Sequence, residues 1–264
     1  MKRISLVLIA LLVFLVGMTG CGSSTKTEPV EVTVFAAASM TNCLDEIITA
    51  YASESEDTII PVYEASGTLR EQIEAGADCD IFISANQKHM NTLADENMID
   101  KESRVDLLGN SLTLIASSDV AENISALAAQ DFKSVFTSDS IKVLAIGEPS
   151  EVPAGQYAQE MFENLGIWEA VQPKVVFAKN VEAVLTYVDG GDAEVGVVYH
   201  TDALQLASGS IIADCPADSY TAVSYPAAIM TASPQPDASA NFFEYLKSDA
   251  AKTVFEKYGF TVLV

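Results

Sequence analysis

Apolar positions recur along this chain in two alternating rhythms, short β-rich runs and stretches with helical spacing. From Glu31 onward, Val32 to Ala37 reads as a strand, Asn42 to Tyr51 as an amphipathic helix, and Ile59 to Tyr63 as a strand. Leu69 to Ala75 then reads as a helix and Ile81 to Ser84 as a strand. A fresh run, Ser111 to Ser117, begins after the break at Gly109-Asn110. Strands follow at Val143 to Ile146, Val175 to Phe177 and Val195 to Tyr199, with helices at Ala154 to Asn164 and Val181 to Val188. Near the end, Ala227 to Thr231 reads as a strand and Ala238 to Lys257 as a helix. This alternation predicts an α/β protein of two units, each a mainly parallel sheet flanked by helices. In such sheets ligands sit outside the carboxyl ends of the strands. The C-terminal strand and helix are expected to return to the first unit, so that the chain crosses between lobes near Leu107 to Leu112 and near Tyr220 to Tyr225. The expected division is 30–109 with 225–264 as one lobe and 110–224 as the other.

The first residues follow a different pattern. Lys2 and Arg3 precede an apolar run from Ile4 to Val16, and small residues lead to Cys21, the layout of a secretory signal over residues 1–20. The run is shorter than the roughly 20 residues that span a bilayer. Met18-Thr19-Gly20-Cys21 resembles a bacterial lipobox, with Met18 where Leu is commoner, which implies a lipid on Cys21 and anchoring to the outer face of the membrane. Residues 21–29 are polar and aperiodic and read as a flexible tether.

A hydrophobic content of 49% supports a packed globule, while the formal charge of −23 changes the picture of its partners. Such a surface repels nucleic acid, which needs clustered cations to replace phosphate counterions. It also repels small anions at long range, so an anion site here must win locally. Cys43, Cys79 and Cys215 are far apart and in no metal-type spacing, and buried free thiols are the expected state. His89 reads as solvated and His200 as a rim residue; neither belongs to a catalytic motif. Asp78 and Asp80 read as a solvated loop.

Chemistry concentrates at four strand-to-helix junctions: Ala37-Ala38-Ser39-Met40-Thr41, Ala65-Ser66-Gly67-Thr68, Val152-Pro153-Ala154-Gly155 and Lys179-Asn180-Val181. Each offers backbone N–H groups without partners inside their own helix, and helix N-termini favour anions. Taken singly, Ser39 and Ser66 read equally well as plain N-caps and Pro153 as an ordinary first-turn residue. Arg70 and Lys179, nearby in sequence, read as solvated charges at least as readily as tuning groups.

Several segments carry a more specific likeness: Val34 to Ser39, Ala65 to Ile73, Asp80 to Asn86, Glu151 to Ala158, Asn180-Val181 and Gly196 to Tyr199. In order, and over nearly all the chain after the signal, they resemble the periplasmic molybdate-binding proteins. The likeness departs from the family pattern at Met40, where Leu is frequent, and at His200, where a small residue is frequent. It implies a two-lobed periplasmic-binding-protein fold of type II, with a tetrahedral oxyanion, molybdate or tungstate, in the cleft. It further implies that Ser39 and Ser66 hold that anion by hydroxyl and N–H, Ala154 and Val181 by N–H, and Tyr199 by its hydroxyl. No cofactor and no directly ligated metal are expected, since molybdenum arrives as the oxyanion. The expected partners are an ABC permease with its ATPase subunits, and the chain itself is expected to be a monomer.

Other readings are weaker. An enzyme would need a nucleophile with its base, a metal cluster or a cofactor fingerprint, and no such motif occurs. An iron carrier commonly wants paired tyrosines with a histidine, and an organic acid an arginine clamp. Sulfate is the hardest competitor, having the same charge and shape in a smaller size. An inert surface lipoprotein would not require four donor-rich helix starts.

Overall fold

The computed structural model describes residues 28–264, so the signal segment and Cys21 lie outside the described residues. Strand β1 (Glu31–Ala37) runs through a 3-10 turn (Ala38–Met40) into helix α1 (Thr41–Tyr51). Then come β2 (Thr58–Glu64), α2 (Ser66–Glu74), β3 (Ile81–Ile83), α3 (Gln87–Asp95), β4 (Val105–Asn110) and β5 (Leu112–Ala116). The middle of the chain gives α4 (Ala121–Gln130), α5 (Phe132–Thr137), β6 (Leu144–Gly147), α6 (Pro153–Asn164), α7 (Trp168–Val171), β7 (Val175–Ala178) and α8 (Val181–Asp189). It closes with β8 (Val195–Tyr199), α9 (His200–Ala203), β9 (Ser210–Asp214), β10 (Val223–Ile229), α10 (Pro236–Tyr245), α11 (Asp249–Lys257) and β11 (Thr261–Val262).

Two sheets result, one of order β11-β4-β10-β3-β1-β2 and one of order β7-β6-β8-β5-β9. Alternate residues of a strand face opposite sides, and β1 uses both faces. Val32 and Val34 pack with Leu44, Ile47 and Phe242, while Phe35 packs on the other side with Leu69, Phe82 and Met90. The chain passes from the first sheet to the second through Ser111 alone, between β4 and β5, and returns through residues 215–222 between β9 and β10.

The α/β architecture is the expected one, and three local features differ from the pattern reading. Both sheets are mixed: β1 pairs in parallel with β2 and β3, but β10 and β4, which join the lobes, run antiparallel to their neighbours. In the second sheet β5 is likewise antiparallel to β8 and β9. The C-terminal apolar stripe is two helices, because the turn at Leu246 to Ser248 stops α10 and the Ser248 hydroxyl accepts from the Ala251 N–H, 3.2 Å away, to cap α11. The polar helical stretch that carries His89 is α3, and it buries that residue. That residue is 1% exposed, and burial, with the charge of Arg70 beside it, lowers its pKa to about 4, so it is neutral rather than solvated. Asp80 is buried too, its carboxylate accepting from the Thr33 N–H at 2.8 Å and from the Ser233 hydroxyl. Both side chains find partners or cover only through distant segments.

Among the described residues no helix is long and apolar enough to cross a membrane.

Candidate functional site

The carboxyl ends of β1, β2, β6, β7 and β8 converge where the two sheets face each other. From β1, β2 and β7 the chain enters a helix start after at most two intervening residues, and from β6 through residues 148–152, so four helix starts border this space. One cavity there is lined by Ala37, Ala38, Ser39, Glu64, Ala65 and Ser66 from the first lobe, with Ala85 beyond β3. The second lobe contributes Val152, Pro153, Ala154, Asn180, Val181 and Tyr199. Ser39, Ser66, Ala154, Val181 and Tyr199 thus all reach the same cavity, and all are buried. Its accessible volume is about 10 Å³, roughly the space of a single water-sized sphere. Sites for drug-sized organic ligands run from roughly 300 Å³ upward, so this one suits a compact solute.

The serines are not N-caps. The cap position of the 3-10 turn is Ala37 and that of α2 is Ala65, neither with a side-chain cap bond, and both serines lie one or two residues further in. Their hydroxyls bond to other elements instead. The Ser66 hydroxyl accepts from the Ala85 N–H at 3.0 Å, and the Ser39 hydroxyl meets the Tyr225 hydroxyl at 2.9 Å. By contrast Asn180 is a true cap, its side-chain oxygen accepting from the Ala183 N–H at 3.0 Å, while Val181 beside it lines the cavity.

Close packing sets the second lobe's donors. A Cβ at Gly155 would stand 1.9 Å from the Gly147 carbonyl oxygen, so only glycine lets the start of α6 lie against β6 and bring Ala154 to the cavity wall. Pro153 occupies the first helical position, where no N–H is needed. Tyr199 is fully buried, and burial pushes its hydroxyl pKa well above the usual range, so it stays a neutral donor; here it donates to the Ala85 carbonyl at 3.1 Å.

The lobes touch across the cavity. The Gly67 N–H donates to the Glu151 carbonyl at 2.9 Å, the Asn86 amide donates to Gln156 Oε1 at 3.0 Å, and the Thr41 hydroxyl donates to Glu182 Oε1 at 3.3 Å. No lysine or arginine is among the lining residues. Arg70 is committed to Glu71 at 3.1 Å and Glu74 at 3.7 Å, and Lys179 is exposed. Among the described residues no group of three or more His, Cys, Asp or Glu side chains could hold a metal ion. The chemistry on offer is therefore neutral hydrogen-bond donation into a small buried space.

The model of the bacterial extracellular solute-binding proteins matches residues 32–261. This chain belongs to that family. Among its relatives, the molybdate-binding protein ModA of Escherichia coli (strain K12) is 37% identical over 233 residues, covering 88% of this chain and 89% of that one. The putative ABC transporter substrate-binding lipoprotein YvgL of Bacillus subtilis (strain 168) is 37% identical over 98% of both chains. A solved substrate binding domain of a putative molybdenum ABC transporter from Clostridium difficile superposes with a TM-score of 0.68 at 35% identity. It covers 89% of this solute-binding chain and is itself covered completely.

Sequence reasoning did not find Tyr225, Asn110 or the partner role of Ala85. Tyr225 was read only as part of a crossing. Its contact with Ser39 spans 186 residues, and no local spacing signals it.

Proposed function

We propose that this solute-binding protein captures molybdate or tungstate and delivers it to an ABC importer. The observation that carries this reading is the donor set. A serine hydroxyl that accepts from the Ala85 N–H, another paired with the Tyr225 hydroxyl, first-turn N–H groups of α6 and α8, and a neutral tyrosine surround a compact cavity without a cation. A fully deprotonated tetrahedral oxyanion offers acceptors only, which such a shell satisfies. Helix N-termini add favourable potential, and burial strengthens each bond. Protonated phosphate presents an O–H that the shell is poorly built to accept, which disfavours it. The names of the E. coli relative and of the C. difficile domain support the choice of molybdate.

In this reading Ser39, Ser66, Ala154, Val181 and Tyr199 hold the anion, with Tyr199 turning its proton from Ala85 to the ligand. The lobes rotate about the crossing at Ser111, close over the anion, and are reopened by the permease with its ATPase subunits. The protein works as a monomer without cofactor or catalysis. A lipid on Cys21 keeps it at the outer face of the membrane; that the B. subtilis relative is named a lipoprotein supports that anchor. Isothermal titration with molybdate, tungstate, sulfate and phosphate tests the ligand. Tight one-to-one binding of the first two with sulfate silent supports it, whereas tight sulfate binding or silence from all four overturns it.

A further inference from the structure

Behind the cavity lies a chain of polar groups whose proton directions are fixed by elimination. The Ser111 N–H can only donate, and it points at the Asn110 side-chain oxygen, 2.9 Å away. The other end of that side chain is therefore the amide NH2, which can only donate. It donates to the Thr201 hydroxyl at 2.9 Å and to the Tyr225 hydroxyl oxygen at 3.3 Å. Tyr225 is fully buried, and burial keeps its hydroxyl protonated far above the usual range. Of the hydrogen-bond partners of the Tyr225 hydroxyl only Ser39 Oγ, 2.9 Å away, can accept its proton, because the Asn110 NH2 only donates. Ser39 has then received a donor from behind, and its own proton is left to face the cavity.

We propose that Asn110 and Tyr225 are positioning residues that fix the Ser39 hydroxyl as a donor and so help the site choose unprotonated oxyanions. The proposal rests on the oxyanion reading of the cavity. It assigns the pair a role distinct from packing, because the ring of Tyr225 is held independently by Tyr199 at 5.7 Å and Phe260 at 5.2 Å between centroids. Removing the hydroxyl leaves that ring in place and frees Ser39 to rotate. The relay also begins at the crossing between lobes and holds Thr201 of the second lobe, so the orientation of Ser39 is set where the chain passes from one lobe to the other.

The test is a double-mutant cycle read by titration calorimetry. Tyr225→Phe is expected to weaken molybdate binding about tenfold, the scale of one hydrogen bond to a charged group. In a Ser39→Ala background the same change is expected to cost less than about twofold, because the proton it directs is gone. Asn110→Asp supplies a second variant of nearly identical shape. It replaces the amide donor by an acceptor, turns the Tyr225 proton away from Ser39, and is expected to weaken molybdate binding while narrowing the ratio between molybdate and phosphate affinities. Equal losses from Tyr225→Phe in both backgrounds, or an unchanged ratio in Asn110→Asp, overturn the proposal. If the wild-type protein takes sulfate rather than molybdate, the ligand reading falls and the same cycle run with sulfate still decides the relay. Silence of the wild type toward all the oxyanions overturns both.

Discussion

The two halves of the cavity are written in different alphabets. The first lobe presents serine hydroxyls, each held from behind by a group on another element: the Tyr225 hydroxyl for Ser39 and the Ala85 N–H, a donor, for Ser66. The second lobe lines it with Ala154 and Val181, whose side chains are apolar and whose proposed donors are backbone N–H groups, and with Tyr199 as its one hydroxyl. A side-chain donor is lost by a single substitution, whereas a backbone donor survives every substitution except proline. In the proposed reading the first lobe's share of recognition depends on side-chain identity, and the second lobe's, Tyr199 apart, on helix placement.

The largest expected effect comes from keeping the halves apart. A Cβ at Gly67 would stand 2.7 Å from the Glu151 Cα and 2.8 Å from its carbonyl oxygen, both backbone atoms that cannot swing aside. Gly67→Ala is expected to weaken molybdate binding about 100-fold, the upper range of an overpacking penalty, with the thermal midpoint nearly unchanged because the clash arises only between lobes. An unaltered affinity would mean that the halves need not meet. Next comes Ser66→Ala, which removes a donor and orphans the Ala85 N–H. A loss of about 1–3 kcal/mol is expected, measurable by titration, and a smaller one would weaken the contrast with the second lobe.

The second lobe is tested by a pair of changes at one position. Val181→Pro deletes the N–H at the first position of α8, where proline is tolerated, and Asn180 before it is already extended at φ −159° and ψ 175°. About a tenfold loss of affinity is expected with α8 intact by circular dichroism. Val181→Ala keeps the N–H and is expected to change affinity less than about threefold; a larger loss would show that the side chain matters after all.

The smallest effect on binding is expected from acid, which instead separates the lobes in stability. Neutral His89 in the first lobe binds a proton more readily once unfolded, so folding is weakened as pH falls from about 6.5 toward 4. Asp202 in the second lobe behaves oppositely. Burial pushes its pKa well above the carboxylate range, so the fold holds the proton more tightly and loses stability as pH rises through that raised value. Melting curves against pH should flatten on the acid side in His89→Leu and on the alkaline side in Asp202→Asn.

The alternation of strands and helices was legible because each element carries its own period, and four strand-to-helix junctions could be named from it. The shared cavity of Ser39, Ser66, Ala154, Val181 and Tyr199 was legible only through likeness to a family, since spacing alone left both serines as possible caps. What escaped was long-range. Asp80 reads as solvated until Thr33 and Ser233 close on it, and the helix carrying His89 has too polar a sequence to announce a buried face. The Asn110–Tyr225–Ser39 relay joins three segments with no common local signal.

The three cysteines of the body, free and buried, have a further consequence. Thiolates, not thiols, react with oxidants and labels. Burial pushes the Cys79 thiol up to about 12 and those of Cys43 and Cys215 higher still, so the folded chain is chemically quiet in an oxidising compartment. Each becomes reactive only when its own surroundings open. Cys43 lies in α1, four residues after the cavity-lining Ser39, Cys79 just before β3, and Cys215 in the returning crossing. The protein thus carries three native clocks, and labelling rates timed on each would report the breathing of cleft, first lobe and crossing separately, without any introduced probe.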